Sequence, residues 1–184
     1  MNKKLFVLSG SSGVGKGTVL KGFLNRNPQF MLSISCTTRK PREGEVDGVN
    51  YFFLTKEEFK KSVEENKFLE WAEFAGNCYG TKKKYINQCL DEGKDIILEI
   101  DTQGALQVKK RMPEAVLVFI CPPSFEALEK RLRGRHTEDE ETIQKRLQEV
   151  KIELERAENF DYKIVNDNLS DAILQLEEII NKEK

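Results

Sequence analysis

Nine residues near the start of the chain, Gly10-Ser11-Ser12-Gly13-Val14-Gly15-Lys16-Gly17-Thr18, constrain its fold more than any other stretch. They follow the apolar run Leu5 to Leu8 and precede Val19, Leu20, Phe23 and Leu24, which recur at helical spacing. A short apolar run stopped by turn residues suits a buried strand of a parallel sheet. The spacing after the glycines predicts a helix. In that order, strand, loop and helix bring several backbone N–H groups to one point, at the positive end of the helix dipole. Glycines let the loop curl, and Lys16 adds a mobile cation. The segment is read as a cradle for nucleotide phosphates, with Gly10 through Thr18 as its contact residues. The usual pattern GxxxxGK[ST] places a hydroxyl that helps hold magnesium directly after the lysine; here that position is Gly17, and Thr18, the candidate for the metal, comes one residue later.

The rest of the chain repeats the strand-then-helix rhythm. Apolar runs at Ile96 to Leu98, Val116 to Ile120 and Tyr162 to Val165 are each separated by a helical stretch, and a further strand precedes Ser33. Alternation of this kind predicts an α/β protein: a three-layer core with a parallel five-stranded sheet. Two stretches interrupt it. Residues 35–85 are rich in aromatics, glycines and charges and read as a small mixed α+β insert. Residues 124–156 are strongly charged and helical, with Ile143, Leu147, Val150, Leu154 and Ala157 forming a narrow apolar stripe. Thr137 and Glu140 read as a capping box at the start of that helix. Residues 1–34, 86–123 and 157–184 then form the core. Within the last of these, Leu169, Ile173, Leu176 and Ile180 predict a final amphipathic helix packed on it.

Composition narrows the partners. Thirty basic against 31 acidic residues give a formal charge of −1, so a general nucleic-acid binder is not expected, and an anionic ligand must be met by a local cluster. Cys36, Cys78, Cys89 and Cys121 are scattered, form no CxxC pair and are not completed to a zinc site by His136. They read as reduced thiols of a cytoplasmic protein. The leading apolar run of four residues is too short for an export signal, and no stretch approaches a membrane span.

The inserts carry ordered motifs: Ser35-Cys36-Thr37-Thr38-Arg39-Lys40-Pro41-Arg42-Glu43-Gly44-Glu45, Asp47-Gly48-Val49-Asn50-Tyr51-Phe52-Phe53, Phe68-Leu69-Glu70-Trp71-Ala72-Glu73-Phe74 and Gly76-Asn77-Cys78-Tyr79-Gly80-Thr81. Ile97 to Gly104, the segment Arg131 to Glu138 with Lys145-Arg146-Leu147, and Val165-Asn166-Asp167 follow. Arg39 and Arg42, three apart and preceded by hydroxyls, suit a bidentate clamp on a second phosphate. In this order and over nearly the whole chain, these motifs resemble those of guanylate kinases. Ser11, where that family often has proline, and Gly17, where it often has serine, depart from the pattern.

The resemblance implies phosphoryl transfer from ATP to GMP with Mg²⁺, in purine nucleotide metabolism and GMP recycling. It makes 35–85 a GMP-binding insert and 124–156 a lid. By matched motif, Glu70 faces the guanine N1–H and N2–H₂ donors. Ser35 and Thr81 offer hydroxyls to O6 or N7, and Asp101 reaches the amino group or a metal-bound water. Arg39, Arg42, Tyr51 and Tyr79 hold the GMP phosphate. Lys16, Arg42, Arg135 and Arg146 form the catalytic set, and Asn166 joins the loop on the ATP side. The oligomeric state is left open between monomer and homodimer. Three alternatives remain: a kinase of another monophosphate, opposed by Glu70 with Ser35 and Thr81; a catalytically inactive guanylate-kinase-like interaction module, which would lose Lys16 or the lid arginines; and a GTPase switch, for which no NKxD motif is present.

Overall fold

The computed structural model describes residues 4–134 and 139–184. Its core is a five-stranded sheet built from β1 (Leu5–Gly10), β2 (Met31–Leu32), β7 (Ile96–Glu99), β8 (Val116–Cys121) and β9 (Tyr162–Val165). The strand order is β2-β7-β1-β8-β9, and every neighbouring pair is parallel. Residues one apart on a strand face opposite sides, and each side of this sheet is a core. Phe6, Leu8, Ile97, Val118 and Ile164 pack with α1 (Lys16–Arg26) and α7 (Leu169–Glu183) on one side. Leu5, Val7, Ile96, Leu98, Leu117 and Phe119 pack on the other, with α3 (Lys83–Asp91) and α4 (Thr102–Arg111). The continuous apolar runs of the sequence are explained by this two-sided burial. Along α7, Ile173, Leu176 and Ile180 are buried as the stripe predicts, whereas Leu169 at the helix start is 41% exposed.

Between β2 and α3 the chain builds a second sheet of β3 (Cys36–Thr37), β4 (Phe52–Phe53), β5 (Phe68–Phe74) and β6 (Asn77–Lys82), in the order β4-β3-β6-β5. It is mixed, with β3 and β4 parallel and the β3–β6 and β5–β6 pairs antiparallel. Helix α2 (Lys56–Glu64) opens with a capping box between Thr55 and Glu58, which the sequence reading did not pick out, and packs Phe59 against Phe68.

From the end of β8 emerge α5 (Phe125–Arg133) and α6 (Glu140–Arg156). Leu128 and Leu132 of α5 meet Ile143, Leu147 and Val150 of α6 in a small separate core. The expected stripe is thus present, but Ala157 lies just beyond α6 in a 3-10 turn (Ala157–Asn159) and is buried against the main core. The start of α6 corrects the capping expectation. Its cap is Asp139, whose carboxylate accepts from the Thr142 amide at 2.8 Å, so a closer acid takes the role given to the Thr137–Glu140 pair. Thr137 itself lies outside the described residues.

Candidate active site

In open parallel sheets ligands sit beyond the carboxyl ends of the strands, and that is where the two inserts converge. β1 ends at Gly10, and the chain turns through Gly13 (φ 79°) and Gly15 (φ 88°) before Lys16 begins α1. Both dihedrals are left-handed, which side chains resist and glycine adopts freely. Gly15 caps α1 without a side-chain bond, and no acid occupies the first turn of the helix. The helix therefore presents its dipole and unshared N–H groups to the cleft. From behind, Asn166 donates to the Val14 carbonyl at 2.8 Å. It is 8% exposed and braces the loop rather than lining the cleft.

The cleft has a volume of about 600 Å³. Gly10 through Gly17 form one wall, and Ser35, Tyr51, Glu70, Tyr79 and Asp101 contribute to the other. Thr18 is exposed on α1 and does not line it. Five of the eight residues expected around a base and its phosphate are thereby gathered opposite the loop. Thr81 stands directly behind, fully buried, and its hydroxyl donates to Glu70 Oε1 at 2.6 Å.

Glu70 is 3% exposed. Burial raises its carboxyl from the ordinary range to about 7, against the lowering effect of the bond from Thr81, and nearby Asp101 raises it further. A carboxylate so placed can accept from a donor edge of a ligand in a dry site, where a mismatched partner is costly.

Arg39 lies over the Tyr51 ring at 5.4 Å, and Tyr51 meets Tyr79 edge to face at 6.2 Å. The Arg39 guanidinium makes a two-pronged pair with Glu45, at 2.9 and 2.8 Å, and holds that carboxyl below its usual range. Glu45 also accepts from the Arg42 amide at 2.7 Å. An acid six residues on thus folds the arginine turn into shape, a role the sequence reading did not assign. Arg42 is exposed beside this cluster and is not part of the cleft wall.

The sequence reading also missed three acids of the cleft, Glu99, Glu149 and Glu153. Glu99 ends β7 and lies against Gly17, where a Cβ would come within 3.5 Å of its Oε1. Glu149 and Glu153 lie on α6 three and seven positions after Arg146, which is one helix face. Glu153 accepts from the Ser12 amide of the loop at 3.1 Å. Burial raises its carboxyl, while Ser12 and Lys16 lower it. The helical spacing from Arg146 was the available signal. Arg135 lies outside the described residues.

A glycine loop carried by the central strand to the foot of a helix, opposite a pocket on a second sheet, defines the class: an α/β nucleotide-binding protein of the P-loop type. The family model described as guanylate kinase matches residues 2–183. A guanylate kinase of Synechococcus sp. (strain CC9311) is 52% identical over 175 residues, covering 95% of this chain and 92% of that protein. One of Synechocystis sp. is 51% identical over 181 residues, covering 98% and 95%. The crystal structure of guanylate kinase from Anaplasma phagocytophilum aligns with a TM-score of 0.78 at 32% identity, over 98% of this chain and 86% of that one. The chain belongs to the guanylate kinase family.

Proposed function

We propose that this enzyme transfers a phosphoryl group from ATP to GMP, giving ADP and GDP. The observation that carries the reading is the facing pair in one cleft: an uncapped helix foot with Lys16, and opposite it the buried Glu70. The first suits a triphosphate. The second suits guanine, whose N1–H and N2–H₂ both point toward an acceptor. Adenine has no N1–H and would leave the carboxylate unpaired, which disfavours it by a factor on the order of 10⁴.

Phosphoryl transfer asks a protein for in-line placement and for positive charge against the equatorial oxygens. Lys16 supplies charge from the loop. By motif, Arg146 on α6 and Arg135 supply it from the lid, and Arg42 from the GMP side. Arg39, Tyr51 and Tyr79 hold the acceptor phosphate, Ser35 and Thr81 support base recognition, and Asn166 keeps the loop in register. Residues 35–85 and 124–156 close on the core 1–34, 86–123 and 157–184, excluding water from the transfer.

Mg²⁺ fits this cleft. Glu99 beside Gly17 and Asp101 at the start of α4 are hard oxygen donors on the cleft wall, whereas Thr18 is exposed on α1 outside it. Among the described residues no three metal-ligating side chains gather. The cation would therefore be held chiefly by the ATP phosphates and by water, with Asp101 or Glu99 beyond the water. When bound it neutralises phosphate charge. Among the described residues no helix is long and apolar enough to cross a membrane. We place the activity in the cytoplasm.

The test is ADP release from Mg-ATP with GMP, AMP, CMP or UMP as acceptor. Turnover with GMP alone is expected. Turnover with another base in its place would overturn the Glu70 assignment, and a folded protein inert with all four would overturn the activity.

A further inference from the structure

β5 is an edge strand, so its outer row of backbone N–H and C=O groups has no strand to pair with. One face of α4 supplies the missing partners. The Gln107 side-chain amide donates to the Trp71 carbonyl at 2.7 Å and accepts from the Trp71 amide at 3.2 Å, as a neighbouring strand would. Arg111 donates to the carbonyls of Phe68, at 2.9 Å, and Leu69. The β5–β6 register shifts between Phe68 and Glu70, and such a bulge re-aims the side chain that follows it. Here that side chain is Glu70, whose strand neighbours are held on one side by Arg111, at Phe68 and Leu69, and on the other by Gln107, at Trp71.

A third residue on the same face sets how far Glu70 reaches. A Cβ at Gly104 would stand 2.5 Å from Glu70 Oε2 and 3.2 Å from its Cδ, so the carboxylate rests on the bare helix backbone. The Gly104 amide meanwhile donates to Asp101, the cap of α4, at 2.7 Å. Asp101, Gly104, Gln107 and Arg111 step by three, three and four residues, a single helix face directed at β5.

We propose that Gly104, Gln107 and Arg111 are positioning residues that determine base specificity, α4 serving as the template that fixes Glu70 at the depth and angle guanine requires. The inference rests on the reading of Glu70 as the guanine acceptor. None of the three touches the reacting phosphates, so the effect falls on GMP recognition and not on ATP.

The experiment compares Gly104→Ala and Gln107→Met with Glu70→Gln, measuring kcat and KM for GMP and ATP, and the preference for GMP over inosine monophosphate, which lacks the 2-amino group. Methionine keeps the length of Gln107 and removes its hydrogen bonds. Alanine favours the helix over glycine, so an effect of Gly104→Ala does not arise from a weakened α4. Misplacing the carboxylate by about an ångström is expected to raise the GMP KM roughly tenfold to a hundredfold and to lower the preference for GMP by a similar factor, with the ATP KM unchanged. Combining Gly104→Ala with Glu70→Asp, whose shorter side chain clears the added methyl, should recover part of the loss. If both α4 variants keep the wild-type GMP KM and preference while Glu70→Gln loses them, the positioning role is overturned and the reading of Glu70 stands. If Glu70→Gln also keeps the preference, the reading beneath it fails. A parallel rise in both the ATP and GMP KM values would make α4 a general support and overturn the proposal.

Discussion

The loop Gly10 to Gly17 offers a phosphate its backbone, whereas the pocket around Glu70 offers a base its side chains. The loop is contiguous, and its conformation is set by Gly13 and Gly15 and by the hydrogen bond from Asn166. The pocket draws on Ser35, Tyr51, Glu70 and Tyr79 from separate segments of the insert and on Asp101 from the core. A backbone site has few side chains to lose, and the charged one carries most of the consequence. A side-chain site spreads its dependence over residues that never touch the ligand.

That difference orders the expected effects. Lys16→Ala leaves the backbone cradle in place but removes charge from the transferring group, and kcat/KM should fall by about 10³ or more, as when other charge-stabilising groups are lost from phosphoryl-transfer sites. Near-normal turnover would break the comparison on the loop side. Glu70→Gln is nearly isosteric, but it can turn an amide N–H₂ toward the guanine donors and loses the charge. The kcat/KM for GMP should fall by about 10²–10³ with the ATP KM unchanged, because a donor facing a donor in a buried site leaves both unpaired. Steady-state kinetics with each substrate varied in turn reads both.

The same contrast governs how much the sequence disclosed. Strand, loop and helix are consecutive, so the cradle was legible from spacing and glycine chemistry alone, as was the parallel core from its apolar runs. Glu70 was legible only through the resemblance of its motif. Its strand does hold a clue, since Glu70 and Ala72 alternate on one face beyond the bulge and both are buried, so the acid occupies an inward position. The supports were invisible for a different reason. Gln107 lies 36 residues from Trp71, and Glu153 lies 141 from Ser12, so those hydrogen bonds exist only once the insert and α6 have packed on the core. Cap placement at α6 failed locally, where several acids in succession offered more than one start.

A pH profile tests the pocket without altering it. Glu70 titrates near 7 because burial disfavours its charged form. Guanine recognition needs the carboxylate, so kcat/KM for GMP should lose about tenfold per pH unit below 7 and level off above it. GMP's own phosphate titrates in this range, with a second pKa near ~6. Glu70→Gln carries that background alone, and the wild-type profile divided by the variant's should retain the step near 7. Stability runs the opposite way. The folded protein holds on this carboxyl a proton that the unfolded chain releases, so this group's contribution is full below about 4.5 and is lost as pH rises through about 7. A divided profile without a step would place the acceptor elsewhere.

The smallest effect belongs to a side chain that occupies a donor of the backbone site. Glu153 reaches from α6 to the Ser12 amide, so a carboxylate occupies a loop donor that is suited to a phosphate oxygen. It stands close enough for Lys16 to lower its pKa. Entry of ATP must release that bond and bring further negative charge toward Glu149 and Glu153. Glu153→Gln keeps an acceptor for Ser12 and removes the charge, so ATP should bind about two- to fivefold tighter, equivalent to ~0.5–1 kcal/mol for one partly solvated charge. The gain should shrink with added salt, since it is electrostatic. Calorimetric titration of ATP at two ionic strengths would show both. Weaker binding in the variant would mean that Glu153 supports the closed cleft rather than competing for the loop, and the phosphate site would then depend on a distant side chain just as the base pocket does.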